Sequence, residues 1–475
     1  MTKRILIANR GEIASRIAKA CRELEYTSVG LWTESEPHAK HLEFCDEWLF
    51  CPGASNKETY LNIEGLVNLA VENKIDGVHP GYGFLSENTE FAAALERAGI
   101  TFIGPNSNAV KLMGDKAISK TLAEKNNIPV VPGSTGAIHS VEEAQKIAEE
   151  IEYPVLLKAV AGGGGRGLRP CFDKEELAAN FEVVQREALS AFGNGDLLVE
   201  KFIKNPRHIE VQILADKKGN VFHFFERECS VQRRHQKIIE EAPSPFIGDD
   251  EALRKDLCET AVRLAKSVDY DSAGTVEFIM GDDKKFYFLE MNTRIQVEHP
   301  ITEEITGIDL IVCMIQAAFG DDLEIPSQEW ITRSGHAIEC RICAEDPITM
   351  LPAPGKVTGF ETNFPQGTRF DNCIYKGLEV TPDFDPMVGK LVTKGLKRGV
   401  ALRKMKAALN GLFIEGLKTN IPLHKVILEN EKFISGNYST NFIKEENPQG
   451  EINTEFDHLR FYKMLATIEA RRMGF

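Results

Sequence analysis

The amino-acid sequence predicts a chain of mixed α/β and α+β class. An N-terminal domain on a doubly wound parallel sheet is followed by a central hairpin-rich domain and a C-terminal mixed α+β domain. Three observations predict it. Short apolar runs alternate with helix-period segments over residues 1–113, the pattern of successive βα units around a parallel sheet. Strand and hairpin patterns dominate residues 154–299, with helices interspersed. The length of 475 residues, 43% of them hydrophobic, suits about two to four domains with sizeable cores.

In chain order, residues 5–8 form a buried-strand pattern and 11–22 carry apolar residues at helical spacing. Strand patterns recur at 28–32, 77–79 and 101–103, and helical patterns at 63–72 and 88–98. Asp115 is placed to cap a helix over 115–125, and the turn residues of 129–136 then open the central domain. A helix over 309–318, strands at 336–343 and 390–394, and a helix over 400–413 follow. Residues 445–451 are polar and turn-rich, leading to an amphipathic helix over 456–473 that is read as packing on its own chain. The expected boundaries are 1–113, 114–334 and 335–445, with an extension over 446–475.

Residues 154–159 read as a strand entering Val160-Ala-Gly-Gly-Gly-Gly-Arg-Gly167, whose glycines permit the close backbone approach a phosphate chain requires. Residues 168–172 look extended rather than helical, unlike a dinucleotide fingerprint, and no G-K-[ST] ending marks a P-loop. A glycine flap between two strands remains, with a hairpin lacking any ligand as the alternative. Positive charge in this acidic chain gathers nearby, at Lys201 and His208 and along 226–237. Read as one extended segment, 226–237 sets Gln232, Arg234 and Gln236 on one face and Arg233, His235 and Lys237 on the other. Such residues suit phosphate or carboxylate; a solvated basic strand is the alternative.

The run 286–299 places Glu290, Asn292, Arg294, Gln296 and Glu298 at every second position, so an extended chain would show five polar side chains on one face. Residues 275–280 read as the preceding strand and 281–285 supply turn chemistry, and closing the hairpin with a loop of about four residues sets Glu277 opposite Glu290. Facing carboxylates require positive charge between them. A hard divalent cation held by Glu277, Glu290 and the Asn292 carbonyl, with nucleotide phosphates completing its shell, answers that need. An amphipathic strand with a wet face is the plainer reading.

The net charge of −15 and pI near 5.4 argue against nucleic acid or an anionic membrane as partner. Ten dispersed cysteines read as reduced thiols, including Cys340 and Cys343, whose C-x-x-C has no second pair. The N-terminus enters a folded pattern at once, and the apolar stretch 310–319 is too short for a membrane span, so a soluble cytoplasmic chain is expected.

Lys116, the Lys158 strand with its glycine flap, Glu200-Lys201, the stretch 226–237 and Glu290-Met-Asn-Thr-Arg-Ile-Gln-Val-Glu-His299 closely resemble the biotin carboxylase family of the ATP-grasp superfamily. Residues 7–14 and 79–88 look like that family's N-terminal domain, and the resemblance spans about residues 2–445 in family order. It implies a central ATP-grasp domain with a mobile glycine-rich lid at about 131–203. It further implies ATP-dependent carboxylation of biotin by bicarbonate through carboxyphosphate, giving ADP and phosphate. Lys116, Lys158, Gly164, Gly165, Glu200, Lys201, Phe202, Ile203, His208, Gln232 and His235 would contact ATP, together with Glu277 and Glu290. Glu277, Glu290 and Asn292 would hold one or two Mg²⁺ or Mn²⁺ ions. Lys237, Arg294, Gln296, Val297 and Arg341 would hold bicarbonate, with Glu298 as its general base and Lys237 stabilising carboxyphosphate. Arg341 would also bind biotin and stabilise its enolate form.

Against the commonest family pattern, Ala161 precedes four glycines where five are frequent, and Leu168-Arg-Pro-Cys171 replaces Met-Arg-Val-Val. Lys404-Met-Lys406 sits in a helical pattern and lacks the carrier motif, so biotin is expected as a substrate on a separate carrier protein rather than attached here. The implied partners are that carrier, a carboxyltransferase subunit and a second copy of the chain. The final acceptor, acetyl-CoA, propionyl-CoA, pyruvate or another oxoacid, belongs to the carboxyltransferase. Another ATP-grasp ligase forming an acyl phosphate, or a non-catalytic nucleotide-binding subunit, are the competing readings.

Overall fold

The computed structural model describes residues 2–160, 168–192, 195–234 and 236–452. Gly164, Gly165, His235, the Ala161 departure and the helix expected at 456–473 lie outside the described residues.

The first unit is a parallel sheet. It contains β1 (Arg4–Ile7), α1 (Gly11–Glu23), β2 (Thr27–Trp32), β3 (Glu47–Phe50), α2 (Ile63–Glu72), β4 (Gly77–His79), α3 (Thr89–Arg97) and β5 (Thr101–Phe102), with strand order β3-β2-β1-β4-β5. Ile5, Leu6 and Ile7 are all fully buried, as a strand covered on both faces must be. β3 carries no such signal because it is a short edge strand with Trp48 and Phe50 exposed. Strand order reverses about β1, so the segments after β1 and β4 diverge and leave a crevice at their carboxyl ends.

Next come α4 (Ser107–Gly114) and α5 (Lys116–Lys125). Asp115 caps α5 by accepting from the amides of Ala117 and Ile118 at 2.9 and 3.0 Å. A separate small layer follows, with α6 (Val141–Ile151), β6 (Val155–Ala159), β7 (Leu168–Cys171), α7 (Lys174–Phe192) and β8 (Leu197–Lys201). β7 and β8 flank β6 in an antiparallel sheet, and the core of this layer is its own. The glycine-rich run thus joins two paired strands.

The largest sheet is antiparallel and has eight strands in the order β13-β12-β9-β10-β11-β14-β19-β17. Its early members are β9 (Arg207–Ala215), β10 (Val221–Arg233) and β11 (Gln236–Ala242), then α8 (Glu251–Ser267), β12 (Ala273–Met280), β13 (Phe286–Asn292), α9 (His299–Thr306) and α10 (Leu310–Phe319). β14 (His336–Cys343), β15 (Gly355–Lys356), β16 (Gly359–Thr362), β17 (Thr368–Asn372), β18 (Glu379–Val380), β19 (Met387–Gly395), α11 (Arg398–Gly411), β20 (Leu412–Glu415) and α12 (Ile421–Glu429) complete the described core. The sheet therefore runs unbroken from the central region into the C-terminal one.

Three local expectations are corrected. Residues 226–237 are not one extended segment: the chain turns at Arg234, whose φ is +48°, and Gln232 pairs across the turn with Lys237. No Gly or Pro marks that turn, which is why alternation alone missed it. The run 286–299 is extended only to Asn292, and 293–298 leaves the sheet to start α9. Residues 412 and 413, expected as helix, open β20 instead.

Candidate active site

A bulge makes β13 useful. Phe286 and Phe288 face the hydrophobic core, so strict alternation would send Glu290 and Asn292 there too. The register shifts by one residue between Phe278↔Phe288 and Glu277↔Glu290, leaving the half-exposed Leu289 as the extra residue. Met291 then takes the core position, and Glu290 and Asn292 turn into the cavity. Glu277 and Glu290 are direct cross-strand partners, as the hairpin argument required.

The row continues across the sheet: Glu290 pairs with Glu277, Glu277 with Glu210, and Glu210 with Arg227. Three carboxylates in line need cations, and these are present. The Lys237 amine donates to Glu277 Oε1 at 2.9 Å, to Glu298 Oε1 at 2.7 Å and to Glu210 Oε2. His208 Nε2 lies 3.1 Å from Glu277 Oε2, and Lys116 Nζ lies 3.6 Å from Glu290 Oε2. Arg227, wholly buried, gives Nε to Glu210 Oε1 at 2.5 Å and Nη2 to Gln296 Oε1 at 2.8 Å.

These contacts decide the protonation states. Burial resists charge on every group, yet Lys237 and then His208 hold the Glu277 carboxyl well below its usual range. Burial likewise opposes the His208 cation, and Glu277 overrides it, lifting the ring to about 9. Glu210, Glu277 and Glu298 raise Lys237 well above an ordinary amine despite its burial. Glu298 is lowered, its desolvation outweighed by Lys237 and Arg341, so it is a charged base.

Glu298 also accepts from Arg341 Nη2 at 3.0 Å, and Arg341 Nε donates to Glu240 at 2.6 Å. Arg294 is steered from two sides, its Nε donating to Glu87 Oε2 at 2.8 Å and its Nη2 to Asn292 Oδ1 at 2.8 Å. A cavity of about 580 Å³ gathers His208, Lys237, Glu277, Glu290, Asn292, Arg294, Gln296, Val297, Glu298 and Arg341. Asn9, Glu12, Tyr82 and Phe84, from the crevice of the parallel sheet, close its other side.

Lys116, Lys158, Glu200, Lys201, Phe202, Ile203 and Gln232 do not line this cavity. Lys158 and Glu200 meet on the small sheet at 3.1 Å, while the Lys201 amine turns to the carbonyls of Ile151 and Glu152 at the end of α6. Phe202 packs edge-on to Phe172 at 6.1 Å, Ile203 follows β8, and Gln232 is on β10 opposite Lys237. Sequence reasoning missed Glu210, Arg227, Glu240 and Glu87. The first had a readable signal, because His208, Glu210 and Gln212 alternate along β9 just as the polar residues do along β13.

Glu277, Glu290 and Asn292 offer three oxygen donors at one end of a hairpin, a set that suits Mg²⁺ or Mn²⁺. His208, Glu210 and Glu277 also bring ligand atoms within 4.8 Å of one another. The Lys237 amine contacts both glutamates of that group and supplies its positive charge, so Glu290 and its neighbours are the better cation site.

The comparisons with known proteins agree along the chain. Residues 1–110 match the biotin carboxylase N-terminal domain, 115–326 the ATP-binding domain of the carbamoyl-phosphate synthase L chain, and 339–445 the biotin carboxylase C-terminal domain. The chain is 45% identical over 453 residues to biotin carboxylase 1 of Bacillus subtilis, covering 95% of this chain and 100% of that one. It is 47% identical over 446 residues to the 2-oxoglutarate carboxylase small subunit of Hydrogenobacter thermophilus, covering 94% of each. Among solved structures, the biotin carboxylase domain of a thermophilic 2-oxoglutarate carboxylase bound to bicarbonate superposes with a TM-score of 0.89 at 45% identity, over 94% of this chain and 99% of that one. With all three domain matches in order and the Glu290–Glu298 constellation folded around one cavity, the chain belongs to the biotin carboxylase family.

Proposed function

We propose that the protein transfers a carboxyl group from bicarbonate to biotin at the expense of ATP, and that the residues gathered around Lys237 and Arg341 carry the reaction. The observation that carries the assignment is Glu298: a charged, buried carboxylate held between Lys237 at 2.7 Å and Arg341 at 3.0 Å. A base between two fixed cations is what an anionic substrate requires, since the cations hold the anion while the base removes its proton.

In this reading Arg294, Gln296, Val297 and Lys237 orient bicarbonate. Glu298 takes the bicarbonate hydroxyl proton as that oxygen attacks the γ-phosphorus of ATP, ADP leaves, and carboxyphosphate forms. Lys237 faces the charge that develops on the transferred phosphoryl group. Biotin N1 gives its proton to the phosphate released from carboxyphosphate and bonds to the carboxyl carbon, while Arg341 faces the negative charge on the ureido oxygen. A divalent ion bound by Glu277, Glu290 and Asn292 would neutralise nucleotide phosphate charge. Lys116, Lys158, Glu200, Lys201, Phe202, Ile203, His208 and Gln232 serve ATP. Gly164, Gly165 and His235, assigned to ATP on the family resemblance, complete that group.

The proposal includes residues 1–113, 114–334 with a lid at 131–203, and 335–445 as the working units, with 446–475 as an extension. It also includes a separate carrier of biotin, a carboxyltransferase and a homodimer. Relatives named as carboxylase subunits, and a related biotin carboxylase domain described as a dimer with MgADP and bicarbonate, support these partners. A cytoplasmic location rests on the ten cysteines, all free thiols in the structure.

The test is ADP release with ATP, Mg²⁺ and bicarbonate, with and without free biotin. Stimulation by biotin that Arg294→Ala and Glu298→Gln both abolish is the expected result. Turnover indifferent to biotin would reassign the acceptor to another ATP-grasp ligase reaction.

A further inference from the structure

β11 and β14 pair in a register that sets Glu240 directly opposite Glu339, so the two carboxyl groups share one face of the sheet. Both side chains have zero exposure. Glu240 Oε1 is taken by Arg341 Nε at 2.6 Å, but Glu240 Oε2 and both oxygens of Glu339 are buried without a hydrogen-bond partner. Two buried carboxylates in that position would be a pair of acceptors facing each other with no donor between them.

The surrounding cations are already engaged. Arg341 is shared between Glu240 and Glu298. Lys390, opposite Arg341 on β19, donates to the Val297 carbonyl at 2.8 Å and pairs with Glu12 at 3.1 Å. Lys237 serves Glu210, Glu277 and Glu298. No described cation contacts Glu339. One proton resolves the arrangement, because a neutral carboxyl group gains a donor and the facing group can accept it; directly opposed positions have Cβ atoms about 5 Å apart, within reach of two glutamates.

We propose that Glu339 is a positioning residue held protonated, donating to the free oxygen of Glu240 so that the other Glu240 oxygen stays fixed on Arg341. The charged groups bearing on Glu339 are Glu240 from β11, Lys390 from β19, Arg341 on its own strand and Glu298 from the turn before α9. Burial, then the Glu240 charge, pushes the Glu339 carboxyl well above its usual range, and Lys390 and Arg341 only partly oppose this. Burial likewise lifts Glu240 to about 7 against the pull of Arg341. Loss of the shared proton at alkaline pH would set a new anion beside Arg341 and draw the guanidinium from the cavity. That last consequence rests on the functional reading above; the proton assignment does not.

The experiment compares the full-length protein with Glu339→Gln, an uncharged isostere that keeps a donor. In the native protein Glu339 keeps its proton where an unfolded glutamate, with pKa about 4.3, loses it. Its stabilising contribution is complete below that value and declines as pH rises towards the folded value. The melting temperature of Glu339→Gln should therefore rise relative to the parent between about pH 4.5 and 7. Its biotin-dependent turnover should stay within about twofold of the parent at neutral pH, equivalent to less than half a pKa unit of free energy, and should lose the alkaline decline. A relative melting temperature that falls over that range, or a loss of turnover at every pH in a folded variant, would overturn the proposal by showing that Glu339 works as an anion. Should Glu339→Gln fail to fold, neutron diffraction of the unmodified protein decides: a deuterium between the two carboxyl groups supports the proposal, and two bare carboxylates refute it. A parent enzyme indifferent to biotin would remove the functional reading while leaving the stability and neutron results to judge the proton.

Discussion

Lys390 donates a hydrogen bond from its amine to the carbonyl oxygen of Val297 at 2.8 Å, and the lysine is completely buried. Its second contact is Glu12 at 3.1 Å, which also accepts from the Tyr82 hydroxyl. The C-terminal part of the large sheet and the crevice of the parallel sheet thereby fix one peptide of the loop that lines the cavity. Lys390→Met removes the donor. Glu12, whose carboxyl burial already pushes upward, can take up a proton, so the protein should fold with a stability loss near the lower end of the ~3–5 kcal/mol typical of a broken buried pair. The expected kinetic result is a bicarbonate KM raised about tenfold, equivalent to ~1.4 kcal/mol, with the ATP KM little changed.

Arg227 uses all five of its N–H groups. Besides Glu210 and Gln296 it reaches Gln212 at 2.6 Å and Thr302 and Thr275 at 3.0 Å each. A lysine carries three donors from a single point and cannot reproduce the fork. Arg227→Lys should leave at least two buried acceptors unpaired, costing about 1–3 kcal/mol each. Thermal unfolding should show that loss, and turnover should fall at least about tenfold because Gln296 and the Glu210–Lys237 contact lose their common anchor.

Much of this site was legible in sequence, and the failures have physical causes. Glu277 facing Glu290 was expected from a hairpin loop of about four residues; the two do pair, but Met280 pairs with Phe286, which would oppose Glu277 to Leu289, and the bulge moves the partner on to Glu290. The same alternation carried Glu290 and Asn292 to the cavity only because Leu289 bulges, a feature that no residue type announces. The turn at Arg234 was invisible because an arginine occupies a left-handed conformation where Gly or Asn would have signalled it. Arg227 and Glu240 were unreadable for a different reason: their importance lies in partners 17 and 101 residues away, which only the sheet order brings close.

Glu87 reaches from the first unit to hold Arg294 through Oε2 at 2.8 Å and the Thr293 amide through Oε1 at 3.0 Å. Both side chains retain some exposure, 22% for Arg294 and 41% for Glu87, so the pair should contribute about 1 kcal/mol rather than the larger sum of a buried pair. Glu87→Gln should therefore reduce kcat/KM for bicarbonate by about fivefold, and a double-mutant cycle with Arg294→Ala, read as unfolding free energy, should return a coupling of about 1 kcal/mol. Additive effects in that cycle would show that Glu87 does not act through Arg294.

Glu241 sets the acid limit of the C-terminal region. Its carboxylate is buried and accepts from Arg398 at 2.6 and 2.9 Å, from His336 at 2.6 Å and from the Tyr438 hydroxyl at 2.5 Å. Burial would raise its pKa, but Arg398 and His336 prevail and lower it to about 2. A depressed carboxyl contributes its full stability above the unfolded value of about 4.3 and loses it as pH falls towards the folded value. The difference corresponds to about 3 kcal/mol, present at neutral pH and fading between about pH 4.5 and 2. Glu241→Gln should accordingly melt well below the parent at pH 7, and the gap should narrow over that acid range. Because these partners lie away from the cavity, the variant's KM for ATP and bicarbonate at temperatures below its melting transition should match the parent's. A gap independent of pH would mean that the loss comes from packing rather than from the carboxylate's charge.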